Sequence, residues 1–99
     1  MNLVEAVQQR HLVQWHDRGF IRTVEPHLFA QFPGLRLVLI AFQIAGGPLG
    51  EREHGWKVID VGDGLNVEPA KTFKAERAIP QHLQAMIQQV YASAGPLTP

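Results

Sequence analysis

The spacing of hydrophobic positions along this chain changes period several times, and each change predicts an element. In "LVEAVQQRH", Leu3, Ala6 and Val7 fall on one helical face, Asn2 precedes them as a cap, and Glu5 holds the capping-box position. A short helix over residues 2–10 is predicted. From His11 the period becomes two. "HLVQWHD" sets Val13 and Trp15 against Gln14 and His16, and Asp17 to Gly19 reads as a hairpin turn into "FIRTVE". There Phe20, Arg22 and Val24 share one face and Ile21, Thr23 and Glu25 the other. Pro26 has no amide hydrogen for a ladder and is expected to end the strand.

Further along, "LRLVLIAFQIA" is the most aliphatic and β-branched stretch and suits a central strand covered on both faces. "GGPLGEREHG", residues 46–55, reads as a loop, either a lid or a tolerated insertion. "WKVIDV" and "LNVEP", separated by "GDG", predict two more strands and a tight turn, with Asp60 and Asp63 as turn caps. "AKTFKAERA" carries no clear period. In "IPQHLQAMIQQVYASAG", Ile79, Leu83, Met86, Ile87, Val90 and Tyr91 form one apolar stripe, Pro80 suits a first turn and Gly95 a stop, so a helix over 79–92 is predicted. The sum is one domain over 1–99 of the α+β, mainly β class. It comprises a short N-terminal helix, a small curled antiparallel sheet or barrel over 11–77, and a C-terminal helix.

Composition narrows what such a domain does. Nine basic and nine acidic side chains cancel, so a polyanion has to be met by a local patch. Without cysteine there are no disulfides, thiolate metal sites or cysteine nucleophiles, which fits a reducing cytoplasm. "LVLIAF" is too short to span a bilayer and the N-terminus has no signal-like apolar run, so a cytoplasmic protein with no membrane partner is expected. Ser93 is the one serine, and "GGPLG" lacks the lysine of a phosphate loop. The five histidines show no HxH or HxxxH spacing, so no metal, no cofactor and no catalytic residue is assigned.

The run "LVEAVQQRHLVQWHDRGFIRTVEPHLFAQFPGLRLVLIAFQ" resembles the opening of a WYL domain, a bacterial Sm-like, SH3-type barrel. "EAVQQR" matches the leading helix, "VQW" the first strand, "RTVEPHLF" the second, and "AFQ" the end of the third. "GWKVIDVGDGLNV" resembles the segment that follows, so the likeness runs from Leu3 to Val67 and is greatest to short stand-alone members. The resemblance implies a transcription-associated sensing module for a small anionic ligand, a nucleotide or single-stranded nucleic acid. Arg22 stands at the family's basic position before "VEP", and Lys57 where a later strand has arginine. The Trp-Tyr-Leu triplet is replaced by "LVLIAF", and lysine offers a point charge in place of a bidentate fork. No helix-turn-helix is read ahead of the domain, so output through a partner chain or homo-oligomer is expected.

The candidate ligand-binding residues are therefore Arg22, Glu25, His27, Gln43 and Lys57, with Trp15 and Trp56 available for stacking. Each has a plainer reading. Arg22 with Glu25 makes a surface ion pair, His27 ties down the backbone where the strand breaks, and the tryptophans belong to the core. Two functions stay open: a non-catalytic binding module, and a structural protein acting through self-association or a partner.

Overall fold

In a computed structural model, residues 1–47, 54–62 and 64–96 are described. The chain begins with α1 (Leu3–Gln8), whose Asn2 side chain accepts a hydrogen bond from the Glu5 amide at 2.8 Å, as a cap should. Five strands follow: β1 (His11–Asp17), β2 (Phe20–Phe32), β3 (Arg36–Gly46), β4 (Gly55–Asp60) and β5 (Leu65–Thr72). A short α2 (Gln81–Gln84) and β6 (Gln89–Ser93) complete the order. All pairings are antiparallel, and the spatial order is β4-β3-β2-β1-β5, with β6 also on β2. No helix among the described residues is long and apolar enough to cross a membrane.

Two expectations are corrected, and the pairing of the last two predicted strands is decided. "WKVIDV" and "LNVEP" do not pair with each other; β4 lies on β3 and β5 on β1, at opposite ends of the order. The turn between them therefore links the two outermost strands through residues 61–64, which requires the sheet to curl strongly. Both ends of the link are tied down, by Val61 N–H to the Leu37 carbonyl and His16 N–H to the Gly64 carbonyl, each 3.0 Å. Asp63 and most of the loop read over 46–55 lie outside the described residues.

The helix over 79–92 is not formed: only Gln81–Gln84 is helical, and Gln89–Ser93 is a strand. The reason is tertiary. β1 pairs with β2 through Val24 and stops, which leaves an open edge from Leu28 to Gln31 that β6 fills. Backbone pairing there outweighs helical periodicity, and the ladder buries Ala92 while leaving Val90 and Tyr91 exposed.

Pro26 does not end β2. It pairs with Ala41, Leu28 pairs with Ile40, and His27 is the extra residue between them, a β-bulge. A bulge is where a sheet accommodates proline. It also reverses the alternation. Before it, Val24 joins a core cluster with Ala6, Val7, Val13, Leu39, Ala41 and Ile59 on the face covered by α1. Beyond it, Leu28, Ala30 and Phe32 join Val38, Ile40 and Leu83 on the face covered by α2. β2 and β3 are thus buried on both sides, as "LVLIAF" suggested. A fully buried side chain such as Leu28, Leu39 or Ile40 contributes about 1.5–3 kcal/mol.

Candidate functional site

Four polar side chains are buried in this small sheet: Arg22, Glu25, His27 and Gln43, between 1% and 8% exposed. All four carry candidate chemistry, but they form two groups. Arg22 and Gln43 lie on the α1 face with Val24. Arg22 donates from Nη1 to Gln43 Oε1 at 3.4 Å, its Nε lies 3.3 Å from Asp17 Oδ2, and its guanidinium sits 5.5 Å from the Trp15 ring. Gln43 donates to the Gly46 carbonyl at 3.3 Å. Lys57 pairs with Ala41 and flanks Ile59, so alternation puts it on this same face.

Glu25 and His27 occupy the opposite face. The expected Arg22–Glu25 ion pair is replaced by separate partners, because adjacent parities of β2 point to opposite sides. Glu25 Oε1 accepts from Arg77 Nε at 2.8 Å and bonds His27 Nε2 at 3.0 Å. Since a carboxylate accepts, His27 carries its proton on Nε2, leaving Nδ1 with a lone pair. The imidazole is 5.0 Å from Trp56 and 5.1 Å from Phe73, ring centre to ring centre. Phe42, the cross-strand partner of Glu25, carries the Arg77 guanidinium 3.7 Å above its ring and packs edge-on against Trp56. Both tryptophans are thus partly buried, each with a cationic or aromatic neighbour.

Sequence reading missed Arg77 and Phe73 because "AKTFKAERA" had no period. That absence is itself the signal: residues 73–80 form an irregular strap across the sheet. Two clefts open beside the strap. One, of about 510 Å³, is lined by Glu25, Ile44, Phe73, Lys74, Glu76 and Arg77 among others. The other, of about 150 Å³, has His27 in its wall.

Comparison with protein-family models, with curated proteins and with solved structures finds no match to this chain. Burial holds the His27 pKa below its ordinary value; the Arg77 charge acts in the same direction, and the bond and charge of Glu25 oppose both. His27 is therefore neutral at pH 7. Unfolding frees it to take a proton near its ordinary value of 6.5, so the unfolded chain binds more protons below that pH. Stability from this group is complete above the unfolded value and declines as pH falls below it. Urea midpoints at about pH 7.5 and about pH 5.5 should show the loss, and His27→Gln should reduce the difference.

Proposed function

We propose that this chain is a non-catalytic sensing module that binds a small anionic ligand, with Arg77 as the group that grips it. The observation that carries this reading is how Arg77 is held. Its Nε is committed to buried Glu25, its plane rests on Phe42, and its side chain is still 42% exposed. Among the described residues no acceptor is bonded to its two terminal nitrogens, which leaves a pre-positioned fork for a carboxylate or phosphate. Lys74 lines the same cleft, and a volume of about 510 Å³ suits a small organic anion or a nucleotide.

Two features support the WYL-type, Sm-like barrel reading: a leading helix, and a five-strand order whose outermost strands are joined by a short link. In that reading the Arg22, Gln43 and Lys57 face, with Trp15 beside it, is the second place where a nucleotide or single-stranded nucleic acid would be met. A cytoplasmic regulatory role goes with it. Self-association is the competing reading, and it rests on β6, an outer strand that exposes Val90 and Tyr91.

The test is a titration with inorganic phosphate, acetate, nucleotides and short single-stranded DNA and RNA, followed by tryptophan fluorescence. Trp56 touches Phe42, on which Arg77 rests, and reports the cleft. Arg77→Ala should weaken binding by about tenfold or more, since a charge-assisted fork is lost, with little change in melting temperature. Loss in Arg22→Ala and Lys57→Ala with Arg77→Ala unaffected would move the site to the opposite face. No response at all, with a dimer or larger species by sizing, would favour assembly.

A further inference from the structure

The smaller cleft is the one that reaches His27. Its walls come from the strap (Ala75 to Ile79, with Glu76 and Arg77 at the border it shares with the larger cleft), from α2 (Gln84) and from the end of β6 (Ser93), and His27 is the residue of β2 that lines it. At 3% exposure His27 is more than nine-tenths buried. Its Nε2 is taken by Glu25, which lines the larger cleft, while Glu76 and Arg77 border both. With the proton on Nε2, Nδ1 is an acceptor that no described residue satisfies. Gln84 uses its amide nitrogen on the Ile79 carbonyl, and Ser93 uses its hydroxyl hydrogen on the Gly95 carbonyl. The oxygens of both are left as further acceptors. A cavity of about 150 Å³ takes a molecule of one small ring.

We propose that this cleft is a binding site for a small, single-ring molecule that donates an N–H hydrogen bond to His27 Nδ1, an acceptor distinct from the Arg77 fork that borders both clefts. His27 keeps the side of β2 that Glu25 occupies, and as the extra residue between Pro26 and Leu28 it has no partner on β3. The apolar walls of Ala75, Ala78 and Ile79 take the ring of the ligand, and the acceptors select a donor at one edge. A ligand without an N–H leaves Nδ1 desolvated and unbonded, which is the source of discrimination. Charged groups near the imidazole are Glu25 on β2 and Glu76 and Arg77 on the strap; Trp56 and Phe73 bring none. Protonation of His27 would turn the acceptor into a donor, so binding should fall on acidification.

The probe is pyrazole, a weakly basic ring with one N–H, against N-methylpyrazole, which has the same ring and no donor. Both are titrated into the whole wild-type protein with nitrogen-15 histidine labels. Pyrazole is expected to bind at roughly millimolar concentration, to move the Nδ1 resonance of His27 while Nε2 stays protonated, and to exceed its methyl analogue by about tenfold. Saturating phosphate should not displace it, so failure of the anion reading leaves this outcome intact. Equal binding of the two probes, no shift at Nδ1, or a resting Nδ1–H tautomer would overturn the proposal. His27→Phe keeps an aromatic in place without the acceptor and should abolish the preference for pyrazole. Should that variant fail to fold, the wild-type resonance decides.

Discussion

Gly46→Ala should destabilise this protein by about 3–5 kcal/mol, more than any surface change of its size. Gly46 has φ +91°, a conformation that costs a side-chain-bearing residue about 1–3 kcal/mol. A β-carbon there would also lie 2.2 Å from the Ile21 carbonyl oxygen and 2.8 Å from Arg22 Cα. Both obstacles are backbone, so no rotamer change relieves them, and the end of the β2–β3 ladder must open. Gly46 is the cross-strand partner of Arg22, and its carbonyl accepts from Gln43. Displacement therefore also disturbs the buried Arg22–Gln43 pair. Urea unfolding should show a lowered midpoint with an unchanged m-value. Gly34→Ala, at φ +79° but with open space around the added carbon, isolates the conformational part and should cost clearly less.

Glu25→Ala is the second large effect, about 2–4 kcal/mol. One carboxylate oxygen serves both His27 and Arg77. His27 is sealed in, and the lost partner leaves its Nε2–H in a poorly solvated place between Trp56 and Phe73. The Arg77 share is smaller because that side chain is 42% exposed and recovers water. Glu25→Gln keeps an acceptor oxygen and should cost about half as much. The consequence for function is sharper than for stability. Arg77 without its anchor regains rotamer freedom over Phe42, so Glu25→Gln should weaken phosphate binding even where the fold is sound. Calorimetric melting and a phosphate titration on the two variants check both parts. A Glu25→Ala protein as stable as wild type would show that the cluster contributes nothing to holding the strap.

The N-terminal half of the fold was legible because local signals there agree with each other. Asn2 and Glu5 mark the helix start, Asp17 to Gly19 the turn, and the aliphatic run of β3 its central place. The C-terminal third was not, because its periodicity supports two answers. Val90, Tyr91 and Ala92 read as the far end of an apolar helical stripe, yet they also alternate as a strand. What chose between them is an edge on β2 that is absent from the local sequence. Of the candidate site, the residue types were readable and the grouping was not. Arg22, Glu25, His27 and Gln43 are the polar side chains the sheet buries; alternation along β2 sets Arg22 and Glu25 on opposite faces, and the structure adds that Gln43 joins the first and His27 the second.

By itself, the sequence determined the class of the domain, the first hairpin and the aliphatic third strand, the absence of thiol chemistry, and which polar residues stand among apolar neighbours, but not the passage of β2 through Pro26. These follow from side-chain periodicity and residue chemistry, which act over a few positions. Only the tertiary structure decided that β4 and β5 part to opposite edges, that β6 replaces a helix, and that Arg77 arrives over Phe42 to share Glu25 with His27. Those outcomes depend on contacts between residues about fifty positions apart. No local pattern encodes them, because the backbone groups and charges they satisfy become available only once the sheet has curled.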